Sequence, residues 1–331
     1  MPAVRLRPPP RQDAGRMRIS VVIPLYQHAA SVPRAIASVL GQSKAVDELI
    51  VVDDGSTDDG AAAALGAGGS LVTVCSGAHA GEGAARNYGV ARASSEWVAF
   101  LDADDEWRRD FIEMTGALAE SHPNVVAVFS NTFVPTLRRP LLRRVPASAH
   151  ILDDYFKTLL ENGAGMSSSS VLIRRDALLD CGGFPEGVLI GGDLDTWARL
   201  AWSGPVGCVP ESLATYHADA PERATVRARA RRPDYPSVLT TYRRWLSEGR
   251  IPPQLRDSSR RFSNHVLATY AMELAHAGWG QDADRQVRED WQPGGPSYSY
   301  LKARLWARLP TRLLRGLRAA REQLREAWPR S

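Results

Sequence analysis

Lysine is nearly absent from this chain. Of its 41 basic residues only Lys44, Lys157 and Lys302 are lysine, and the rest are arginine. So uniform a bias reads as coding composition rather than mechanism. Cysteine is almost as scarce. Cys75, Cys181 and Cys208 are scattered and form no CxxC pair, which argues against a disulfide framework or a cysteine zinc site and predicts small buried thiols in a reducing compartment. No run of about 18 apolar residues occurs, so no membrane-spanning helix is expected. The opening MPAVRLRPPPRQDAGRMR is basic and proline-rich without an apolar segment. It reads as a mobile tail over residues 1–17 and not as a secretory signal. The phosphate-binding pattern GxxxxGKS/T is missing, which argues against a P-loop.

What is present is an ordinary globular composition, 44% hydrophobic and 24% charged over 331 residues. At about 100–200 residues per domain, that length allows two domains, or one domain with an appendage. The net charge of +4 hides an asymmetry. Residues 1–220 carry 19 basic and 26 acidic side chains, whereas residues 221–331 carry 22 and 11. We therefore expect an acidic globular domain over 18–220 and a basic extension over 221–331.

Hydrophobic patterning places elements on this frame. ISVVIP (19–24), ELIVVD (48–53), LVTVC (71–75), WVAFLD (97–102) and VVAVFS (125–130) are short, β-branched apolar runs, as expected for strands buried on both faces. Helical segments separate them: one after Ser31, with Pro33 in its first turn, then Asp58–Leu65, 82–92 and Asp110–Glu120. This alternation predicts an α/β fold with a doubly wound, mostly parallel sheet, which binds ligands beyond the carboxyl ends of its strands. Residues 135–165 read as irregular and Gly163–Ser170 as flexible. SSSSVLIRR (167–175) and GPVGCVP (204–210) read as strands, and DLDTWARLAW (193–202) as a helix. Helices are expected near 236–248, 257–277 and 300–328.

Three strand ends carry unusual chemistry. Pro24–Tyr26 closes the first. VVDDGSTDD (51–59) places Asp53 and Asp54 at the second; Asp58 is the natural cap of the next helix, which leaves the other two carboxylates to be explained. FLDADDEW (100–107) crowds Asp102, Asp104 and Asp105 at the fourth. Like charges so close raise one another's pKa unless a cation lies among them, and all-oxygen ligands favour Mg²⁺ or Mn²⁺ shared with substrate phosphates. GEGAAR (81–86) is a partial dinucleotide fingerprint in which Arg86 stands where the third glycine belongs, a weak match.

The ordered blocks ISVVIPLYQ (19–27), ASVLGQS (37–43), ELIVVDDGSTDDG (48–60), GEGAARNYGVARASSEWVAFLDADDEW (81–107), IRRDALLDCGGF (173–184) and GDLDTWARL (192–200) together resemble the inverting glycosyltransferases of family 2, with the GT-A fold. The resemblance covers roughly residues 18–220. It implies that Pro24, Leu25 and Tyr26 pack around a nucleobase, that Asp54 accepts from a uracil imide, and that Asp53 shapes that pocket. Arg86 would approach the donor, Asp104 would ligate a divalent metal with Asp102 near the ribose, and Asp105 would support them. Asp193 would be the general base that deprotonates an acceptor hydroxyl, with helix capping as its simpler alternative role. The family's glutamate before that aspartate is Gly192 here, and His217 is displaced by two positions from the family's histidine. Trp197 reads as core.

The extension ends in YLKARLWARLPTRLLRGLRAAREQLREAW (300–328), where leucines recur near one helical face among arginines. Residues 300–331 hold nine Lys+Arg and two acids. Two readings stand level: a helix lying on an anionic membrane surface, and a helix packing its leucines on the catalytic domain. Nucleic-acid binding is not expected, because no recognised module accompanies the charge. The expectation is a cytoplasmic, metal-dependent inverting hexosyltransferase, peripheral at the inner face of the membrane, that moves a sugar from a UDP-sugar to a hydroxyl of a glycan or lipid-linked acceptor in surface polysaccharide synthesis. The alternatives are transfer to a polyprenyl phosphate, or a non-catalytic nucleotide-sugar-binding scaffold.

Overall fold

The computed structural model describes residues 16–141, 148–163, 165–218, 232–294, 297–309 and 313. Of the expected tail only Arg16 and Met17 fall among them. The chain divides into two compact units, Met1–Val226 and Arg227–Ser331.

The first unit is built on one mixed sheet. Its strands are β1 (Ile19–Leu25), β2 (Glu48–Asp53), β3 (Val72–Ser76), β4 (Trp97–Phe100), β5 (Glu106–Trp107), β6 (Ala127–Val134), β7 (Arg139–Pro140), β8 (His150–Ile151), β9 (Val171–Arg174) and β10 (Val206–Thr215). They run in the order β3-β2-β1-β4-β9-β6-β10-β5, with β7 on β6 and β8 on β10. The pairs β1–β2, β1–β4, β2–β3 and β6–β10 are parallel. Strand β9 is antiparallel to both neighbours; a four-residue strand with three apolar residues, VLIR, carries no signal of direction. Strand β10 runs well beyond the expected 204–210. It passes Pro210, which has no N–H to donate, through register shifts at Val209/Ser212 and Ser212/Ala214.

The helices of this unit are α1 (Val32–Leu40), α2 (Gly60–Gly68), α3 (Glu82–Arg92), α4 (Phe111–Ser121), α5 (Tyr155–Asn162), α6 (Arg175–Asp180) and α7 (Gly192–Ser203). In α1, Val32, Ala35, Ile36 and Val39 fall on one face and are buried against the sheet. Burying a side chain such as Ile36 contributes about 1.5–3 kcal/mol. The core joins this face to Val21, Ile23 and Leu25 of β1, Val51 of β2, and Phe111 and Ile112 of α4. Residues 135–165 are not simply irregular. They hold β7, β8 and α5, whose N-cap Asp154 accepts the Lys157 amide and whose C-cap Gly163 is left-handed. Nor is the serine run a loose loop: Ser168–Ser170 is a buried 3-10 turn.

The second unit contains α8 (Ser237–Ser247), α9 (Arg256–His276), α10 (Gly280–Asp290) and α11 (Ser297–Arg308). Helix α10 escapes the hydrophobic pattern, because GQDADRQVRED offers only Ala283 and Val287 to the interior. Its rotation is fixed by Asp284, which is buried and binds Arg288, Arg304 and Arg308. Beyond Arg308 the expected helix 300–328 lies outside the described residues except Leu309 and Leu313.

Candidate active site

The ends of β1, β2 and β4 and the starts of α3 and α7 supply the side chains singled out by sequence. Pro24 pairs with Val52 and Leu25 with Asp53 along the parallel ladder. Leu25 is fully buried in the core. Tyr26 emerges from the strand end and stacks on His79, ring centroids 4.2 Å apart. The next residue, Gln27, is left-handed (φ 61°) and is held by Ser56 and Thr57.

The two carboxylates after β2 have separate structural tasks. Asp53 Oδ1 accepts the Ser56 amide at 3.0 Å and closes the turn. Asp54 is buried; Oδ1 accepts from the Ala80 amide at 2.7 Å and Oδ2 from the Gly81 amide at 2.9 Å. His79 Nδ1 lies 2.8 Å from Asp54 Oδ2. Gly81 is the N-cap of α3. In the partial fingerprint, amides placed to bind a phosphate are therefore answered by a carboxylate of the protein itself. Asp58 is not the expected N-cap of α2, which is Asp59; it accepts from the Gly60 amide and from the Ala29 amide, tying the start of α2 to the 27–31 loop. The approach of the two loops requires Gly55. Its φ is +77°, and a Cβ there would lie 2.9 Å from the His79 nitrogen.

Arg86 is the hub. It is 4% exposed. Its Nη2 donates to Asp102 Oδ1 at 2.8 Å and to Glu82 Oε1 at 2.5 Å. The guanidinium carbon also lies 5.3 Å from the Phe184 ring centroid. Among the described residues its Nε has no hydrogen-bond partner. Burial works against the guanidinium charge, but Glu82, Asp102 and Asp193 more than offset it and raise its pKa. Arg86 in turn pulls Glu82 down most strongly, yet burial and repulsion from Asp102 and Asp193 leave that carboxyl above its usual range.

Asp193 lies in the first turn of α7, after a left-handed Gly191 N-cap. Its Oδ1 accepts the Leu194 amide at 2.8 Å, but the N-cap is Gly191 and Asp193 is not the cap. Burial raises the Asp193 carboxyl; Arg86 and the Leu194 amide lower it, and Asp102 adds repulsion. Helix α7 is anchored from beneath. Arg199 binds Asp195 and the Cys181 carbonyl, and the Thr196 hydroxyl bonds the Gly183 carbonyl. Asn87 of α3 holds Phe184 through both its backbone groups. The GGF turn (182–184) thereby locks α3 and α7 together, and with them Arg86 and Asp193. Trp197 is core, edge-on to Phe184.

The acids after β4 are spread among different partners. Asp105 is fully buried. Its Oδ2 accepts from the Ser169 hydroxyl at 2.6 Å and its Oδ1 from the His217 amide at 3.1 Å. Ser169 also accepts the Asp102 amide, and its carbonyl accepts the Trp107 indole N–H. The Asp104 carbonyl accepts from Arg34, and its side chain is buried. His217 Nε2 lies 3.1 Å from Glu106 Oε1. Among the described residues no three His, Cys, Asp or Glu side chains converge to hold a metal. Asp102, Asp104 and Asp105 therefore do not form a ready chelate. The oxygen-only donors still suit a hard cation that takes most of its shell from a substrate diphosphate. Sequence reasoning missed Glu82 and His79, and took Ser169 only as part of a flexible segment, Gly163–Ser170, bordering the site. Only Glu82 left a signal, its i,i+4 spacing from Arg86 on a helix.

The chain is similar in sequence and in fold to known proteins. Residues 20–182 match the sequence profile of glycosyl transferase family 2. This part of the chain belongs to that family. An uncharacterised glycosyltransferase of Nostoc sp. is 43% identical over 95 residues, which is 28% of this chain and 30% of that protein. The pre-mycofactocin glycosyltransferase of Mycobacterium tuberculosis is 29% identical over 215 residues, 60% of this chain and 42% of that one. An Escherichia coli enzyme named UDP-Glc:alpha-D-GlcNAc-diphosphoundecaprenol beta-1,3-glucosyltransferase is 35% identical over 97 residues, 29% of this chain and 38% of that one. The chain spans about a third of the length of the first curated relatives it matches. In fold, the family 2 domain is of the GT-A type. Staphylococcus aureus TarS (residues 1–349) in complex with UDP-GlcNAc superposes with a TM-score of 0.66 at 15% identity, covering 95% of this chain and 93% of that one. The Pyrobaculum calidifontis mannosyltransferase in complex with GDP-Man and Mn²⁺ superposes at 0.56 with 20% identity, covering 91% and 88%.

Proposed function

We propose that the protein transfers a sugar, with inversion, from a nucleotide-diphosphate donor to a hydroxyl of a glycan or lipid-linked acceptor in surface polysaccharide synthesis. UDP-sugars are the expected donors. What supports this reading is that Asp193 and Asp102, from separate segments, both interact electrostatically with the one buried guanidinium of Arg86; we assign Asp193 to the acceptor side and Asp102 to the donor side. Asp193 takes the proton of the attacking hydroxyl. Burial raises its pKa above the usual carboxylate value, which strengthens it as a proton acceptor, while Arg86 opposes that rise. Arg86 also fixes the rotamer of Asp102. Tyr26, with the loops locked by Asp53 and Asp54, offers the base an aromatic and hydrogen-bonding edge. Asp104, with Asp102 beside it, would hold Mn²⁺ or Mg²⁺ together with the donor phosphates; such a cation supplies charge neutralisation on the leaving diphosphate. Three free thiols support a reducing, cytoplasmic setting.

Turnover of a panel of nucleotide sugars with Mn²⁺, by the wild type and by Asp193→Asn, tests the proposal. A general base predicts that the variant binds donor normally and loses about 10²–10⁴-fold in kcat. A phosphate acceptor needs little base, so near-normal turnover by Asp193→Asn would shift the reading to polyprenyl-phosphate transfer. Donor binding without turnover in the wild type would leave a scaffold.

A further inference from the structure

Helix α11 presents leucines to solvent rather than to the core of its own unit. Ala303 and Ala307 are its buried positions, 1% and 4% exposed. Gly280 lies so close to the Ala307 carbonyl that a Cβ there would be 2.3 Å from its oxygen. Arg304 binds Asp284 at 2.8 Å. These three contacts fix the rotation of the helix. Leu301 and Leu305, one turn apart on the far side, are 62% and 60% exposed, and Leu313 is 50% exposed. Lys302 and Arg308 are exposed alongside them. Exposed leucines flanked by cations on one helix face have the composition of an interfacial helix, and the sequence from 300 to 331 holds nine Lys+Arg and two acids. A second protein surface with an apolar groove would cover the leucines, but it would not account for that excess of positive charge. An anionic lipid headgroup layer answers both features. Among the described residues no helix is long and apolar enough to cross a membrane, so a contact made here lies in the plane of the surface.

We infer that the Leu301–Leu305 face of α11 docks the protein on an anionic lipid surface. The inference concerns where the protein works and stands apart from the transfer reading. It is tested with the full chain by flotation with vesicles of phosphatidylglycerol and phosphatidylcholine in equal parts, against vesicles of phosphatidylcholine alone. The wild type should float with the anionic vesicles only, and less so at high salt. Leu301→Gln with Leu305→Gln should weaken that partitioning by at least about tenfold. Lys302→Glu should weaken it by several-fold while leaving the melting curve unchanged. Both changes are at exposed positions, so thermal melts of the variants matching the wild type exclude a folding defect. Equal flotation with neutral and anionic vesicles, or unchanged flotation of the double leucine variant, overturns the proposal. So does a wild type that stays off vesicles and sediments as a dimer which the leucine changes break; that outcome assigns the face to a second copy of the chain.

Discussion

Replacing Arg86 with methionine is the most direct perturbation of this molecule. The substitution keeps an unbranched apolar side chain at the buried position and removes the cation that, among the described residues, is bound to both Glu82 and Asp102. Breaking a fully buried ion pair from one side costs about 3–5 kcal/mol. Here the carboxylate side chains are 48% and 22% exposed, so solvent shares the burden and about 2–4 kcal/mol is the better figure. For a unit of this size that is roughly a 5–15 °C fall in melting temperature. The loss must depend on pH. Glu82 and Asp193 already sit above the usual carboxylate range in the folded protein, and removing Arg86 raises them further. A carboxyl with a raised folded pKa adds stability that is present below its unfolded pKa and is lost as pH rises through the folded value. The deficit of Arg86→Met should therefore be largest at pH 8 and shrink on acidification towards pH 5. Calorimetric melts of wild type and variant at both pH values check this. A deficit below about 1 kcal/mol, or one independent of pH, would refute the picture of Arg86 as the cation that neutralises this cluster.

Two further outcomes follow from the same geometry. Asp193→Asn should raise the melting temperature at pH 8 and give little gain at acid pH, because it removes a half-buried carboxyl whose ionised form is disfavoured; a lower melting temperature at pH 8 would mean that its bond to the Leu194 amide outweighs desolvation. Gly55→Ala should destabilise by about 1–3 kcal/mol and weaken UDP binding in a titration, since a Cβ meets the His79 amide in a left-handed turn; wild-type stability in that variant would show that the 53–57 and 77–81 loops can part freely.

Much of the first unit was legible in the chain. Buried β-branched runs located β1 and β2 to within one residue, the helical spacing of apolar residues located α1, and the segments between strands located α3 and α4. The strand ends that carry acids were visible for the same reason: carboxylates next to an apolar run need an explanation. Elements without a strong period were not legible. Helix α10 has two inward apolar residues, α5 lies in an arginine-rich stretch, and the antiparallel direction of β9 depends on its neighbours. The leucine stripe of α11 was visible, but its outward direction was not, because periodicity marks an apolar face without saying what that face meets.

The site divides along the same line. The sequence by itself determined which residue types stand at the ends of β1, β2 and β4 and at the start of α7, since these lie within a few residues of strong local signals. Only the tertiary structure decided what each does. Leu25 turns into the core, Asp54 is taken by the amides of residues 80 and 81, and Asp105 ties Ser169 to His217. Arg86 gathers acids from three separate segments around one guanidinium. The physical reason is that a charge's role is set by its burial and by the partners brought to it through space, and both are long-range properties of the chain.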